Sequence, residues 1–163
     1  MANIVLLVVA LALLATAVLF VTRGAEATPG ESRTETLSDQ HEAVTKAARE
    51  VTLAFLTVDY RKMDPLIKKV LDGATGTFEE SYNRSKVTLK ASAQEAQATS
   101  TGKVLHIGVS DIDETDAVVF VAADSKVKNK STKGKAQPRY YRLKLTMVRQ
   151  DGKWLTSNLQ FVG

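Results

Sequence analysis

Hydrophobic positions along this chain obey three rules in succession. From residue 4 to residue 21 they form one run, interrupted only by Thr16 and free of charge, proline and glycine. From about residue 38 they recur every three or four positions. From residue 104 onward they alternate.

The first run spans roughly 27 Å at about 1.5 Å per residue, close to the hydrocarbon thickness of a bilayer. It is read as a transmembrane anchor over residues 1–22. It is longer than the about 7–15 residues usual for a secretory leader, although Ala25-Glu26-Ala27 has the small-x-small form of a cleavage site. A buried core helix is disfavoured because no face of the run is polar. Arg23 follows the run and no Lys or Arg precedes it. Charge alone therefore puts the following residues inside the cell. Residues 23–36 are polar and contain Gly24, Pro29 and Gly30, so they read as a juxtamembrane linker.

The second rule predicts three helices. Val44, Ala48, Val51, Phe55 and Val58 make one apolar stripe over residues 38–58. Glu42 and Lys46 stand at i,i+4 on its wet face. Asp64-Pro65 has the form of an N-cap followed by proline at the first helical position. The short helix it opens carries Ile67 and Leu71 and stops at Gly73. Thr77 with Glu80 has the form of a capping box. It opens a third helix with Phe78, Tyr82 and Leu89 on one side.

The third rule predicts four strands. They cover residues 104–109, 117–123, 140–148 and 154–162. Tyr141, Leu143, Leu145 and Met147 share one face, and Arg142, Lys144 and Thr146 the other. Asp151-Gly152 is a hairpin turn signal. Helices first and an antiparallel meander afterwards give an α+β domain over residues 37–163. Three helices would pack on a curved, mainly antiparallel four-stranded sheet, forming a cone with room for a pocket.

Composition narrows the chemistry. The chain has no cysteine, which excludes disulfides, thiolate zinc, iron–sulfur clusters and thiol catalysis. Its two histidines, His41 and His106, supply little for a metal site, and no cofactor is expected. The net charge of +4 is mild, but its distribution is uneven. Lys126, Lys128, Lys130, Lys133 and Lys135 cluster in one loop, and Arg139, Arg142 and Lys144 follow.

Phe55-Leu56-Thr57-Val58-Asp59-Tyr60-Arg61, then Gly73-Ala74-Thr75-Gly76-Thr77-Phe78 with Tyr82, and the closing Asp151-Gly152-Lys153-Trp154-Leu155 together resemble the Mce-associated membrane proteins of bacteria (Mce, mammalian cell entry). The resemblance covers residues 43–161. It implies a nuclear transport factor 2-like, or SnoaL-like, domain on a single-pass anchor, held outside the cytoplasm at the cell membrane. It also implies an accessory or scaffold role in Mce lipid-import complexes. The scaffold subunit of type IV secretion systems has a similar build, and the superfamily hosts enzymes and binders as well.

Each candidate site has two readings. Asp59, Tyr60 and Arg61 at the end of the first helix are either an acid/base group at a pocket mouth or a structural cap of the turn. His106 either enters the cavity or stays at the surface. His41, near a helix start among polar residues, is read as solvated. Phe78, Tyr140, Tyr141 and Trp154 either line an apolar pocket or fill the core. The basic loop, Lys126 to Arg139, is either a solvated hairpin or a contact for anionic headgroups or an acidic partner, at about 1 kcal/mol per charge near a membrane. Nucleic acid is not expected, since no aromatics interleave the lysines. The expected function is a non-enzymatic, membrane-anchored accessory protein acting through protein contacts. The alternatives are a pocket-bearing enzyme or lipid carrier, and a secretion-system scaffold.

Overall fold

The computed structural model describes residues 29–163. The chain divides into two units, Met1–Ser38 and Asp39–Gly163. In the first, residues 29–38 are helical. The apolar run read as an anchor, and residues 23–28 of the linker, lie outside the described residues. Among the described residues no helix is long and apolar enough to cross a membrane.

The first helix, α1, spans Pro29–Leu56. Residues 29–36, within the stretch read as linker, are therefore helical. Proline is tolerated at a helix start because the N–H it lacks would have no partner there. The stripe read from the sequence is real within the second unit: Val44 and Ala48 are fully buried and Val51 nearly so. Thr52 interrupts the apolar face, and its hydroxyl donates to the Ala48 carbonyl at 2.7 Å, so no polar group is stranded. Glu42 and Lys46 make no ion pair; the salt bridges of the described helices are Lys68–Asp72, Arg84–Glu80 and Lys90–Asp64.

Two shorter helices follow. α2 spans Met63–Leu71 and α3 spans Gly76–Ala96. Neither start follows the sequence expectation. The N-cap residues are Lys62 and Thr75, and neither makes a side-chain cap bond. Asp64 instead sits in the first turn of α2, favourably placed against the helix dipole, and its carboxylate takes Lys90 of α3 at 2.7 Å. Thr77 donates to the Ser157 carbonyl at 3.0 Å, which ties α3 to the last strand. Tertiary partners thus outcompeted the local caps.

The sheet has five strands in the order β1-β2-β3-β4-β5, every neighbour antiparallel. They are β1 Val58–Asp59, β2 Thr99–Ile112, β3 Asp116–Lys128, β4 Gln137–Gln150 and β5 Lys153–Phe161. The additional strand is β1, whose two residues pair with Ser100 and Thr99. Two residues are too few to show alternation, so the sequence hid it. The β4–β5 turn is the expected one: Asp151 and Gly152 both have positive φ, at 50° and 76°.

Register decides what each strand shows to the interior. β3 and β4 run without irregularity from Asp116 opposite Val148 to Val127 opposite Gln137. Their inner residues Val119, Val121, Leu143, Leu145 and Met147 pack on the α1 stripe in one core, each 2% exposed or less. β2 shifts register between Val104 and His106 and again between Val109 and Asp111. At β5, Ala74 forms a parallel bridge to Thr156, and the Thr75 and Thr156 N–H groups donate to the Thr156 and Gly73 carbonyls at 2.9 Å each. A smaller cluster of Met63, Ile67 and Ala93 joins α2 to α3.

Candidate functional site

Asp59, Tyr60, Phe78, His106 and Trp154, the five residues read foremost as pocket lining, do not converge. Asp59 sits at the turn after α1, where Arg61 grips it with both arms: Nε donates to Oδ1 at 2.8 Å and the second guanidinium nitrogen to Oδ2 at 2.9 Å. The Arg61 backbone N–H adds a third bond at 3.1 Å. These bonds hold the Asp59 carboxyl at about 2, below its usual 3.8. A carboxylate so acidic is a weak base at neutral pH, and its three bonds to Arg61 cap the turn. Tyr60 is half-buried against the α2–α3 cluster, with the Arg61 guanidinium 5.6 Å above its ring.

Phe78 is buried. It packs with Phe55 and Tyr82, ring centroids 6.1 and 6.0 Å apart, and Phe55 also meets Phe161 at 6.2 Å. These rings fill space that a pocket would need. Burial pushes the Tyr82 hydroxyl to a higher pKa. Tyr141 faces the same interior and meets Phe161 at 6.2 Å, whereas Tyr140 points outward and is 77% exposed. His106 is also exposed. Simple alternation from the buried Val104 would turn His106 inward and Ile107 and Val109 outward; the register shift at Leu105 reverses this, returning Ile107 and Val109 to the core and leaving His106 opposite Ala122 on the outside. Among the described residues no cluster of His, Asp or Glu has the makings of a metal site.

Trp154 alone of the five borders a cleft. The cleft holds about 730 Å³ and lies between α1, α2 and the β4–β5 turn. Ala43, Ala47, Leu53, Leu66 and Leu155 give it an apolar floor, and Lys46, Glu50, Lys69 and Lys153 stand on it as well. It uses a second face of α1, beside the stripe that meets the sheet. The sequence does carry a trace of it: Ala43, Ala47 and Ala54 are small residues at i, i+4 and i+11, which reads as filler unless α2 is known to lie nearby.

The basic loop is ordered. Asn129 and Thr132 clasp each other: the Asn129 Oδ1 accepts from the Thr132 N–H at 2.9 Å, and the Thr132 Oγ1 accepts from the Asn129 N–H at 3.0 Å. The Lys130 N–H donates to the Ala96 carbonyl at 2.9 Å, docking the loop on the C-terminus of α3. Lys133 and Gly134 take left-handed backbone angles, φ 51° and 73°. Lys126, Lys128, Lys130, Lys133, Lys135 and Arg139 are all exposed. Among the described residues none of them forms an ion pair. Arg139 differs from the rest in register: it lies opposite Ser125, which faces inward, while Lys126 and Lys128 share the outer face with Tyr140, Arg142 and Lys144. Phe120 and Leu105 on that side are also exposed, at 43% and 40%. The outer sheet face next to the loop is thus mainly basic and aromatic, with Asp124 opposite Tyr140 as its acidic member.

Comparison with known proteins places this arrangement. A protein-family profile described as "Uncharacterized protein Rv1363c/MT1408-like" matches residues 1–163. Over 120 residues the chain is 28% identical to "Uncharacterized protein Rv1363c" of Mycobacterium tuberculosis (strain ATCC 25618 / H37Rv), covering 74% of this chain and 46% of that one. The chain therefore spans just under half the length of that relative. An IcmL-like type IV secretion system protein from Legionella pneumophila subsp. pneumophila str. Philadelphia 1 is similar in structure, with a TM-score of 0.59, 16% identity, and coverage of 72% of this chain and 88% of that one. The periplasmic domain of DotI is similar at a TM-score of 0.60, 8% identity, and coverage of 74% and 94%. A ketosteroid isomerase-like protein from Erwinia carotovora atroseptica SCRI1043 is similar at a TM-score of 0.50, 18% identity, and coverage of 76% and 97%. At these identities the likeness is one of fold: a curled antiparallel sheet packed on three helices, of the nuclear transport factor 2-like type.

Proposed function

The chain belongs to the Rv1363c/MT1408-like family, and from that premise we propose that it is a membrane-tethered accessory module, held outside the cytoplasm and acting by protein contact in an Mce-type lipid-import complex. The observation that carries the reading is the basic loop. Its lysines are presented by a turn with internal hydrogen bonds and an attachment to α3, and among the described residues they have no carboxylate partners. Ordering a loop loses conformational entropy, so a surface ordered in advance loses less when it docks. Beside it stands a solvent-facing tyrosine, the residue type enriched in docking surfaces. An acidic partner surface, or anionic headgroups close to the tether, fits this charge.

The fold likeness to secretion-system proteins favours a second reading, a scaffold subunit of a type IV secretion apparatus. The two readings share the surface and differ in the partner. A catalytic reading is weaker, because Asp59 is committed to Arg61 and His106 faces solvent.

The test is capture of the full chain from membranes after mild crosslinking, followed by identification of the bound subunits. Mce-complex subunits are the expected partners, and secretion subunits in their place would transfer the module to the second reading. The combined variant Lys126→Gln, Lys128→Gln, Lys130→Gln and Lys133→Gln should lose capture, and raised salt should mimic that loss. Undiminished capture by the variant would overturn the basic loop as the contact. A reporter fused after Gly163 should be active only outside the cytoplasm.

A further inference from the structure

We propose that the cleft between α1, α2 and the β4–β5 turn binds a single-chain anionic lipid, its tail on the apolar floor and its carboxylate among Lys46, Lys69 and Lys153. This inference is independent of the partner reading above, since neither the basic loop nor the outer sheet face borders the cleft.

Three observations select this occupant. The first is size: about 730 Å³ falls in the range of small-molecule sites, roughly 300–1,000 Å³. The second is the hydrogen-bonding state of the floor. The Thr57 hydroxyl is already donated to the Leu53 carbonyl at 2.6 Å. The Gly73 N–H reaches the Val70 carbonyl at 3.2 Å, and the Gly73 carbonyl takes the Thr156 N–H at 2.9 Å. A peptide main chain laid there would leave its own polar groups unpaired, which is unfavourable, whereas an acyl chain has none to satisfy. The third is charge. Three lysines border the cleft and, among the described residues, none has a carboxylate partner. Of the two carboxylates there, Asp72 is held by Lys68 at 2.7 Å, leaving Glu50 alone to oppose them. A site with an apolar floor and surplus positive charge at its border fits a molecule with an apolar tail and one anionic end.

The chain supplies its own probe, because Trp154 is its only tryptophan and borders the cleft. Full-length protein in phospholipid nanodiscs would be titrated with dibromostearate, whose bromines quench indole fluorescence at contact distance. Saturable quenching, relieved by unlabelled stearate, is the expected result. The methyl ester, which keeps the tail and loses the charge, should bind at least about tenfold more weakly. The variant Lys46→Gln/Lys69→Gln/Lys153→Gln should weaken stearate binding to a similar degree while leaving the far-ultraviolet circular dichroism unchanged. Ala47→Phe, which fills the floor, should abolish quenching. Quenching that never saturates, equal quenching by the methyl ester, or full binding by the lysine variant would overturn the proposal. A fluorescence response to an acidic amphipathic peptide with none to dibromostearate would overturn it in favour of a partner helix.

Discussion

Gly102 on β2 faces Leu56 at the end of α1 so closely that a Cβ at Gly102 would stand 2.6 Å from the Leu56 Cβ. Carbon atoms do not approach so near, and the atom it would meet is rooted on the backbone of a buried residue. Gly102→Ala is therefore expected to destabilise the fold by about 1–3 kcal/mol, the usual penalty of overpacking. Urea denaturation measures it. Adding Leu56→Ala should not recover the loss, because alanine keeps the Cβ that Gly102→Ala would meet. A single-variant effect below about 0.5 kcal/mol would mean that the helix end yields freely.

The Asp59–Arg61 clasp sets a pH dependence whose sign is fixed. Asp59 titrates at about 2 in the fold against an ordinary value of 3.8. Its contribution is present above about pH 4 and is lost as pH falls from about 4 toward 2. Asp113 is shifted the same way by the Thr115 and Asp116 N–H groups it accepts, so it adds to the loss in the same direction. Melting temperature should fall more steeply between pH 4 and 2 in the parent than in Asp59→Asn. Parallel curves would refute the assignment.

His106→Ala should be silent, within about 0.5 kcal/mol in stability, because the side chain lies on the outer face. Leu145→Ala, at a fully buried position of the central sheet, should cost about 2–5 kcal/mol. Thermal or chemical melts of the pair compare the two faces directly. A severe His106 variant would show that the outer face carries structure.

Gly152→Ala forces a side chain into a left-handed turn position, φ 76°, and should cost about 1–2 kcal/mol. Asp151→Gly, at φ 50° in the same turn, should be neutral or mildly stabilising. A destabilising Asp151→Gly would point to a role for its carboxylate outside the turn.

The parts of the fold legible beforehand were those set by local repetition. The α1 stripe, the alternation of Tyr141 to Met147 and the Asp151-Gly152 turn each depend on neighbours in sequence, and each is present in the structure. The misread parts were decided by distant contacts. Thr77 looked like a cap until Ser157 was there to accept its proton. Lys46 looked like a partner for Glu42, yet it borders a cleft assembled from α2 and β5, about which residues 38–58 say nothing. The cleft was illegible for the same reason: its walls come from three separate stretches of chain. The aromatic pocket candidates were chosen by type, and type does not report direction, as Tyr140 and Tyr141 illustrate by facing opposite ways.

The treatment of the two sheet margins bears on how the molecule behaves when crowded. One margin, at Thr156, is already occupied by the segment joining α2 and α3. The other is covered by β1 at Thr99 and Ser100 only, but beyond that point it is kinked twice, at Leu105 and Ser110, and carries Lys103. A second chain seeking to add itself finds no straight row of amides to copy. The sheet is thus closed to extension by a neighbouring copy at both margins where these features lie.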